Sequence, residues 1–369
     1  METINSFWFY LPFMLIVAFF GYIIPLITRK NILFGVKFPP EKINSQKVRQ
    51  MKNRFKISLP IIMLFFIIFA GLFLSNTGNM NLGGLLIIIQ LLALFIMYAY
   101  FNRKMKSIKS ELKLPGYEEE RTITIDTNFR KQQLAISNLW YLIPLIIVIA
   151  HFVIVALNYE AIPSEIPMNY NLKGEVTSYA TKGFLSAYMM PLLTAFFVLL
   201  FFFINIIIKT SKQNIDSAKP QKSAIQNRIF RHKWSQFTFL SCTALVISLF
   251  LASLSQLNIY PLSNYYLFLI TMGVVFIIVI TAIYLSLKLG QSGAKIKIDM
   301  DIQEEESSFS DDDKYWKSGF IYYNPEDPAI FIEKRLGVGW TMNFANPIAI
   351  IISIGLIVVI VISIILGIS

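Results

Sequence analysis

The sequence predicts an all-α polytopic membrane protein with eight transmembrane helices, both termini outside, and a small cytoplasmic β-containing segment. Three observations carry this reading. Apolar residues make up 55% of the 369 residues, with 32 phenylalanines and a mean hydropathy of +0.59. Uncharged runs of roughly 18 to 22 residues recur, each long enough to cross a hydrocarbon core of about 30 Å. Finally, 31 of the 33 Lys and Arg residues fall into four connections, which alternate with connections almost free of positive charge.

The apolar runs are Phe7–Thr28, Ile57–Leu74, Leu82–Phe101, Leu139–Leu157, Leu185–Ile208, Phe237–Leu254, Tyr265–Leu287 and Pro347–Gly367. Between them, Arg29–Lys56 holds 9 cations, Arg103–Lys131 holds 8, Lys209–Lys233 holds 7 and Lys288–Arg335 holds 7. The other two, Lys173 and Lys182, lie between the fourth and fifth runs. Cytoplasmic loops carry the excess of Lys and Arg, so this alternation orients the chain with both termini outside. Met1–Ser6 carries only Glu2 and lacks the basic region of a signal peptide, so the first run is expected to be a retained span.

The organisation that follows has five parts. Residues 1–138 hold three spans with basic cytoplasmic loops, and 139–208 form a helix-loop-helix around an external loop at 158–184. Residues 209–287 hold spans six and seven, 288–346 a cytoplasmic segment, and 347–369 the last span. The net charge of +11 is assigned to loops facing anionic lipid, with the bilayer and not nucleic acid as the partner. The expected location is a membrane that the chain crosses several times.

No Asp, Glu, Lys or Arg falls inside a run as drawn, which argues against a pump built on buried carboxylates. Gln90, His151 and Asn205 are the polar candidates within the spans. His151 is titratable near neutral pH, and it reads as a hydrogen bond to a neighbouring helix in preference to a proton relay. Pro60, Pro144 and Pro191 read as structural. The single cysteine, Cys242, excludes an internal disulfide.

The cytoplasmic connections show period-two patterns. Ala294–Ile302 and Thr122–Asp126 alternate apolar and charged residues. Phe320–Tyr323 and Ala329–Glu333 flank the turn signal Asn324-Pro-Glu-Asp-Pro328 and suggest a hairpin, with Gly337-Val-Gly339 as a tight backbone approach beside it. Asn128–Ala135 and Ile225–Lys233 read as short basic helical approaches lying along the lipid surface. The acidic run Gln303–Asp313 reads as a solvated linker. Motifs of zinc proteases, phosphate-binding loops and serine hydrolases are absent, and two histidines with one cysteine make no usual zinc set. No enzyme, metal or cofactor is expected.

The external loop carries Pro163, Pro167, the turn Asn171-Leu-Lys-Gly174, three tyrosines (Tyr159, Tyr170 and Tyr179) and the only cations on that face, Lys173 and Lys182. Such a loop suits either recognition of a peptide or an ordered cap over helix ends. It resembles the DUF1648 module at Ile166, Pro167, Tyr170, Asn171, Gly174, Thr177, Tyr179 and Lys182. Asn169 stands where that family commonly has histidine, so a metal or protonation role does not carry over. Ile32-Leu-Phe-Gly-Val36 with Pro39-Pro40-Glu41 also resembles the larger DUF1648/DUF5808 membrane proteins. So does the stretch from Asp311 to Phe344, through Tyr315-Trp316-Lys317, Gly319, Tyr322-Tyr323-Asn324-Pro325, Asp327-Pro328, Phe331, Gly337-Val338-Gly339-Trp340 and Asn343.

DUF1648 is shared with SdpI-type immunity proteins, which protect bacteria from a secreted membrane-active peptide toxin and relay its presence to a repressor. The resemblance implies capture of an extracellular peptide toxin, or envelope-stress signalling, with Tyr170, Asn171, Lys173, Gly174, Tyr179 and Lys182 as recognition residues. It further implies a cytoplasmic regulator. Two other readings stand beside it. One is a transporter or lipid-handling protein with a central cavity. The other is a scaffold that recruits a cytoplasmic partner through Phe320, Tyr322 and Trp340.

Overall fold

A computed structural model describes residues 2–77, 81–112, 133–170, 175–213, 215, 219–260, 263–298 and 311–368. The architecture is mainly helical. Seven helices among the described residues are long and apolar enough to cross a membrane: α1 (Glu2–Ile27), α2 (Gln46–Thr77), α3 (Asn81–Glu111), α4 (Leu142–Leu157), α5 (Phe184–Thr210), α6 (Pro220–Gln256) and α7 (Asn264–Leu289). α8 (Pro347–Ile368) is apolar over Pro347–Val358. Large apolar side chains such as Ile57, Phe65, Leu72, Phe276 and Ile277 point outward. That arrangement suits hydrocarbon and not water, because a soluble protein rarely exposes so continuous an apolar surface.

Three helices outrun the spans expected from hydropathy. α2 has 32 residues, α3 31 and α6 37. At 1.5 Å per residue, α2 is about 48 Å long, well beyond a core of about 30 Å. The extra turns carry the cations, so much of the basic connections is helix and not loop. Ile225–Lys233 is one such extension, continuous with α6. Arg231 within it is fully buried and does not lie along lipid. Its Nη1 donates to the Ile208 carbonyl at 2.7 Å and its Nε to Asn227 Oδ1 at 2.7 Å. A cation on the last turn of α5 meets the negative end of that helix's dipole and satisfies an orphan carbonyl. In the other expected approach, residues 133–135 are non-helical and the preceding part lies outside the described residues.

The chain divides into two compact units. One comprises Met1–Ile125, Ser211–Gln226 and Leu289–Ser369, and the other Asp126–Thr210 and Asn227–Lys288.

In the first unit, α1, α2 and α3 are fastened by polar contacts through their apolar faces. Gln90 Nε2 donates to the Met14 carbonyl at 3.1 Å, and the Tyr98 hydroxyl to the Gly21 carbonyl at 2.7 Å. Interhelical hydrogen bonds of this kind hold helices together where apolar burial gives little drive. β1 (Ile32–Leu33) and β2 (Val36–Lys37) make a hairpin whose two-residue tip, Phe34-Gly35, has φ of +50° and +80°. Positive φ at both central residues is the type I′ pattern, which matches the twist of the strands and explains the glycine. The tip drives Phe34 among Phe55, Tyr98 and Phe101, with ring centroids at 4.8, 6.1 and 5.2 Å. Burial of one such ring is worth about 1.5–3 kcal/mol.

The strands after residue 311 pair differently from the sequence expectation. β5 (Trp316–Lys317) pairs with β6 (Ile321–Tyr322), and β7 (Phe331–Glu333) pairs with β8 (Trp340–Met342), both antiparallel. Phe320–Tyr323 and Ala329–Glu333 therefore do not form one hairpin around Asn324–Pro328. Each segment takes a nearer partner, and Tyr322 and Asn343 make one parallel bridge between the two pairs. Gly337 and Gly339 lie in the β7–β8 connection, with φ of +77° and +116°. A Cβ at either would meet nothing within 4 Å, so these glycines serve conformation and not close approach. Residues 294–298 form no strand, and Thr122–Asp126 lies outside the described residues.

Candidate functional site

In the second unit, β3 (Glu165–Tyr170) and β4 (Val176–Thr181) form an antiparallel hairpin between α4 and α5. The register runs Glu165↔Thr181, Ile166↔Ala180 and Pro167↔Tyr179, then shifts around Asn169 to end at Tyr170↔Val176. β4 alternates strictly, with Thr177, Tyr179 and Thr181 outward and Val176, Ser178 and Ala180 half-buried. The sheet lies on an apolar base in which Ile166 is buried with Val155, Ile162, Ala187 and Leu257.

Three polar residues lock that base. Lys182 Nζ donates to the carbonyls of Ile162 and Glu160 at 3.1 and 3.2 Å, and sits 4.8 Å above the Tyr159 ring. Gln256 at the end of α6 donates from Nε2 to the Pro167 carbonyl at 2.7 Å. Ser186 accepts from the Gly183 N–H at 2.9 Å and donates to the Thr181 carbonyl at 2.8 Å, capping α5 as it leaves the hairpin. Lys182 therefore fastens the loop, a role its place among the recognition residues did not foresee. Tyr179 is 58% exposed. The Tyr170 backbone closes the strand pairing, while Asn171, Lys173 and Gly174 lie outside the described residues. Gln256 and Ser186 escaped the sequence reading, because nothing in local spacing links Gln256 to a carbonyl 89 residues away.

The bundle beneath is tied by the polar residues noted in the spans. His151 is fully buried, and its Nδ1 lies 3.3 Å from Thr194 Oγ1. The Thr194 hydroxyl also donates to the Pro191 carbonyl at 2.8 Å, which ties the pair to the α5 backbone. Asn205 donates to Asn138 Oδ1 at 2.9 Å and accepts from the Ser235 hydroxyl. The buried face of α6 also carries Ser235, Thr238, Ser241, Ser248 and Ser253. Thr238 and Ser248 donate back to carbonyls three residues earlier, so these small side chains favour close helix approach.

The first unit holds a second constellation, in the 311–343 segment. Arg335 is buried and forks onto the carboxylates of Asp312 and Asp313. It also donates to the Gly35 carbonyl at 2.8 Å and lies 5.1 Å from the Trp316 ring centre. Lys109 of α3 bridges Asp311 and Asp313 at 2.7 and 2.6 Å. Lys106 donates to the Trp316 carbonyl at 3.2 Å. The end of the acidic run is therefore an internal ion network and not a solvated linker, while Gln303–Ser310 lies outside the described residues.

A second knot centres on Asp327, which accepts from Lys212 Nζ at 2.7 Å, the Tyr322 hydroxyl at 2.9 Å and the Ala329 N–H at 3.1 Å. Asn343, fully buried, donates to the carbonyls of Asn324 and Asp327 and accepts the Asn324 N–H. Glu333 is buried between Arg29 Nη2 at 3.1 Å and the Ser292 hydroxyl. Gln291 holds Gly339 both ways, accepting its N–H at 2.8 Å and donating to its carbonyl at 2.9 Å. Of the residues expected to recruit a partner, Phe320 stacks near Phe95 and Tyr98, Tyr322 is buried within the Asp327 knot, and Trp340 is half-buried on β8.

Burial alone would raise both carboxylic acids, but their partners outweigh it. Arg335 and Lys109 hold Asp313 below its ordinary value, and Lys212, the Ala329 amide and Tyr322 do the same for Asp327. Folded values below unfolded ones mean that this stabilisation is complete above about pH 4 and lost as pH falls through the lowered values. Protease resistance of the 311–343 segment is therefore expected to decline on acidification below about pH 4. In Asp327→Asn the same titration is expected to be shallower, from a lower starting resistance.

Among the described residues, no group of three or more His, Cys, Asp or Glu is placed to hold a metal ion. Residues 146–195 match a domain of unknown function, DUF1648, and residues 325–350 match a family of unknown function, DUF5808. No curated protein and no solved structure matches the chain. The hairpin and the His151–Thr194 pair thus fall within a DUF1648 domain and the Asp327–Asn343 knot within a DUF5808 segment, in a chain whose apolar helices mark an integral membrane protein.

Proposed function

We propose that this is an eight-span protein of the bacterial cytoplasmic membrane, with both termini outside, whose 158–184 loop captures an extended membrane-active peptide at the outer face. One observation carries the reading: the β3–β4 hairpin is anchored at its base yet pairs with no third strand among the described residues. An open strand edge accepts an incoming peptide through main-chain hydrogen bonds, with side chains supplying selectivity. β3 is ill suited to this, since Pro163 precedes it, Pro167 lies within it and its register is broken at Asn169. β4 keeps a strict alternation of exposure, with one extra residue at Thr177 and paired residues from Ser178 to Thr181, and it presents Tyr179 and Thr181 outward.

Capture would confer immunity to the peptide or report envelope stress, with the 311–343 segment as the surface that a soluble regulator reads. Transport of hydrophilic cargo is disfavoured, because the apolar runs carry no Asp, Glu, Lys or Arg. The test is survival of a peptide-sensitive Gram-positive strain expressing the chain, challenged with a panel of membrane-active peptides. Tyr179→Ala removes an aromatic contact of hot-spot type and is expected to lower the tolerated peptide concentration about tenfold. Lys182→Ala is expected to do the same by loosening the hairpin. Unchanged protection with alanine at Tyr170, Asn171 and Lys182 together, at equal expression, rejects the reading.

A further inference from the structure

A cavity of about 600 Å³ opens in the first unit where α1 ends and α2 begins, a size typical of small-ligand sites. Among the described residues its lining contains five cations, Arg29, Lys30, Lys52, Lys56 and Lys295, and no carboxylate. Glu333 offsets Arg29 at 3.1 Å, and the charge of the site rests on Lys52 and Lys56. Lys52 and Lys56 are four residues apart on α2, so they rise from one face as like charges, an arrangement that costs stability unless an anion lies between them. Neither has an ion pair among the described residues.

The rest of the lining is largely apolar. Tyr22, Pro25 and Leu26 of α1 and the rings of Phe55 and Tyr98 belong to it. Tyr22 and Leu26 are 49% and 48% exposed and continue the outward apolar surface of Phe19 and Phe20. A molecule filling this space therefore needs a negative head among the lysines and an apolar tail that runs out along α1.

We infer that the cavity is a binding site for the phosphodiester headgroup of an anionic phospholipid, its acyl chains lying against α1. Basic pockets between membrane helices suit such headgroups, because each lysine near the surface adds attraction for anionic lipid. The inference is independent of peptide capture by the hairpin, since none of the lining residues belongs to that unit.

The full chain, purified in a neutral detergent, is titrated with phosphatidylglycerol or phosphatidylcholine, and bound lipid is counted by native mass spectrometry. Phosphatidylglycerol is expected to bind at least about tenfold more tightly than phosphatidylcholine. K52Q/K56Q is expected to weaken it about tenfold, and K30Q/K295Q comparably, so that misfolding of one double variant does not decide the matter. K104Q/K233Q, which removes two exposed cations outside the cavity, is expected to leave binding unchanged. Equal loss in that control would assign the effect to general surface charge and overturn the site. Undiminished binding in both cavity variants overturns it too. Displacement of the lipid by equimolar glycerol 3-phosphate would show that the lysines read a free phosphate and not a lipid.

Discussion

Arg335→Ala is expected to be the most damaging single substitution outside the helices, at about 3–5 kcal/mol, the usual cost of stranding the partners of a buried ion pair. The guanidinium side chain is 4% exposed and faces Asp313, itself 12% exposed. Its loss strips both carboxylates of their guanidinium, leaving Lys109 paired to Asp313, and also abandons the Gly35 carbonyl and the Trp316 ring. The expected readout is rapid proteolysis of the 311–343 segment in detergent-solubilised protein, with the apolar helices still intact. Arg335→Lys keeps the charge but not the planar fork, and is expected to recover only part of the loss. Combining Arg335→Met with Asp313→Asn removes most of the uncompensated charge, so it should be more resistant than Arg335→Ala alone. If Arg335→Ala instead matches the wild type, the network contributes nothing net.

The second large effect is expected at Gly35. A Cβ there would lie 2.4 Å from the Gly319 Cα, and the reciprocal Cβ on Gly319 would lie 2.9 Å from the Gly35 Cα. Two hairpin tips meet backbone to backbone, so no side chain can swing aside to make room. Gly35→Ala therefore combines the left-handed conformation, about 1–2 kcal/mol, with overpacking, about 1–3 kcal/mol. Gly337→Ala supplies an internal control, with nearly the same φ and nothing within 4 Å. It should cost only the conformational part. The difference between their thermal unfolding midpoints in detergent measures the steric contact, and equal midpoints would deny that the tips touch.

These two sites show where the sequence was legible and where it was not. The apolar runs gave the helices, because twenty uncharged residues have few other uses. Helix ends were obscured by the cations of α2, α3 and α6, since charge signals a loop and a membrane face equally well. The 158–184 loop was readable as an external loop with two prolines at its entry, but the strand pairing over 165–181 was not read from it. Its anchoring through Gln256 was not, because a glutamine at a helix end has no signature for a distant carbonyl. Asp312 and Asp313 looked like solvent-exposed acids, since the arginine that pairs with them lies more than twenty residues on. Gly35 and Gly319 each announced a turn, but only the three-dimensional structure places one against the other.

The Arg335–Gly35 hydrogen bond joins residues 300 positions apart, and this has a consequence for the order in which the protein is made. The unit that contains both is interrupted by the entire second unit. At about 5–20 residues per second, a ribosome needs roughly 15–60 s to travel from one partner to the other. Through that interval the nascent α1–α3 helices present the Phe34 tip, Lys106 and Lys109 without the segment that completes them. The second unit, whose contacts close over shorter spans of chain, has its parts first. Completion of the first unit therefore waits on residues 311–343, which are made after the whole of the second unit.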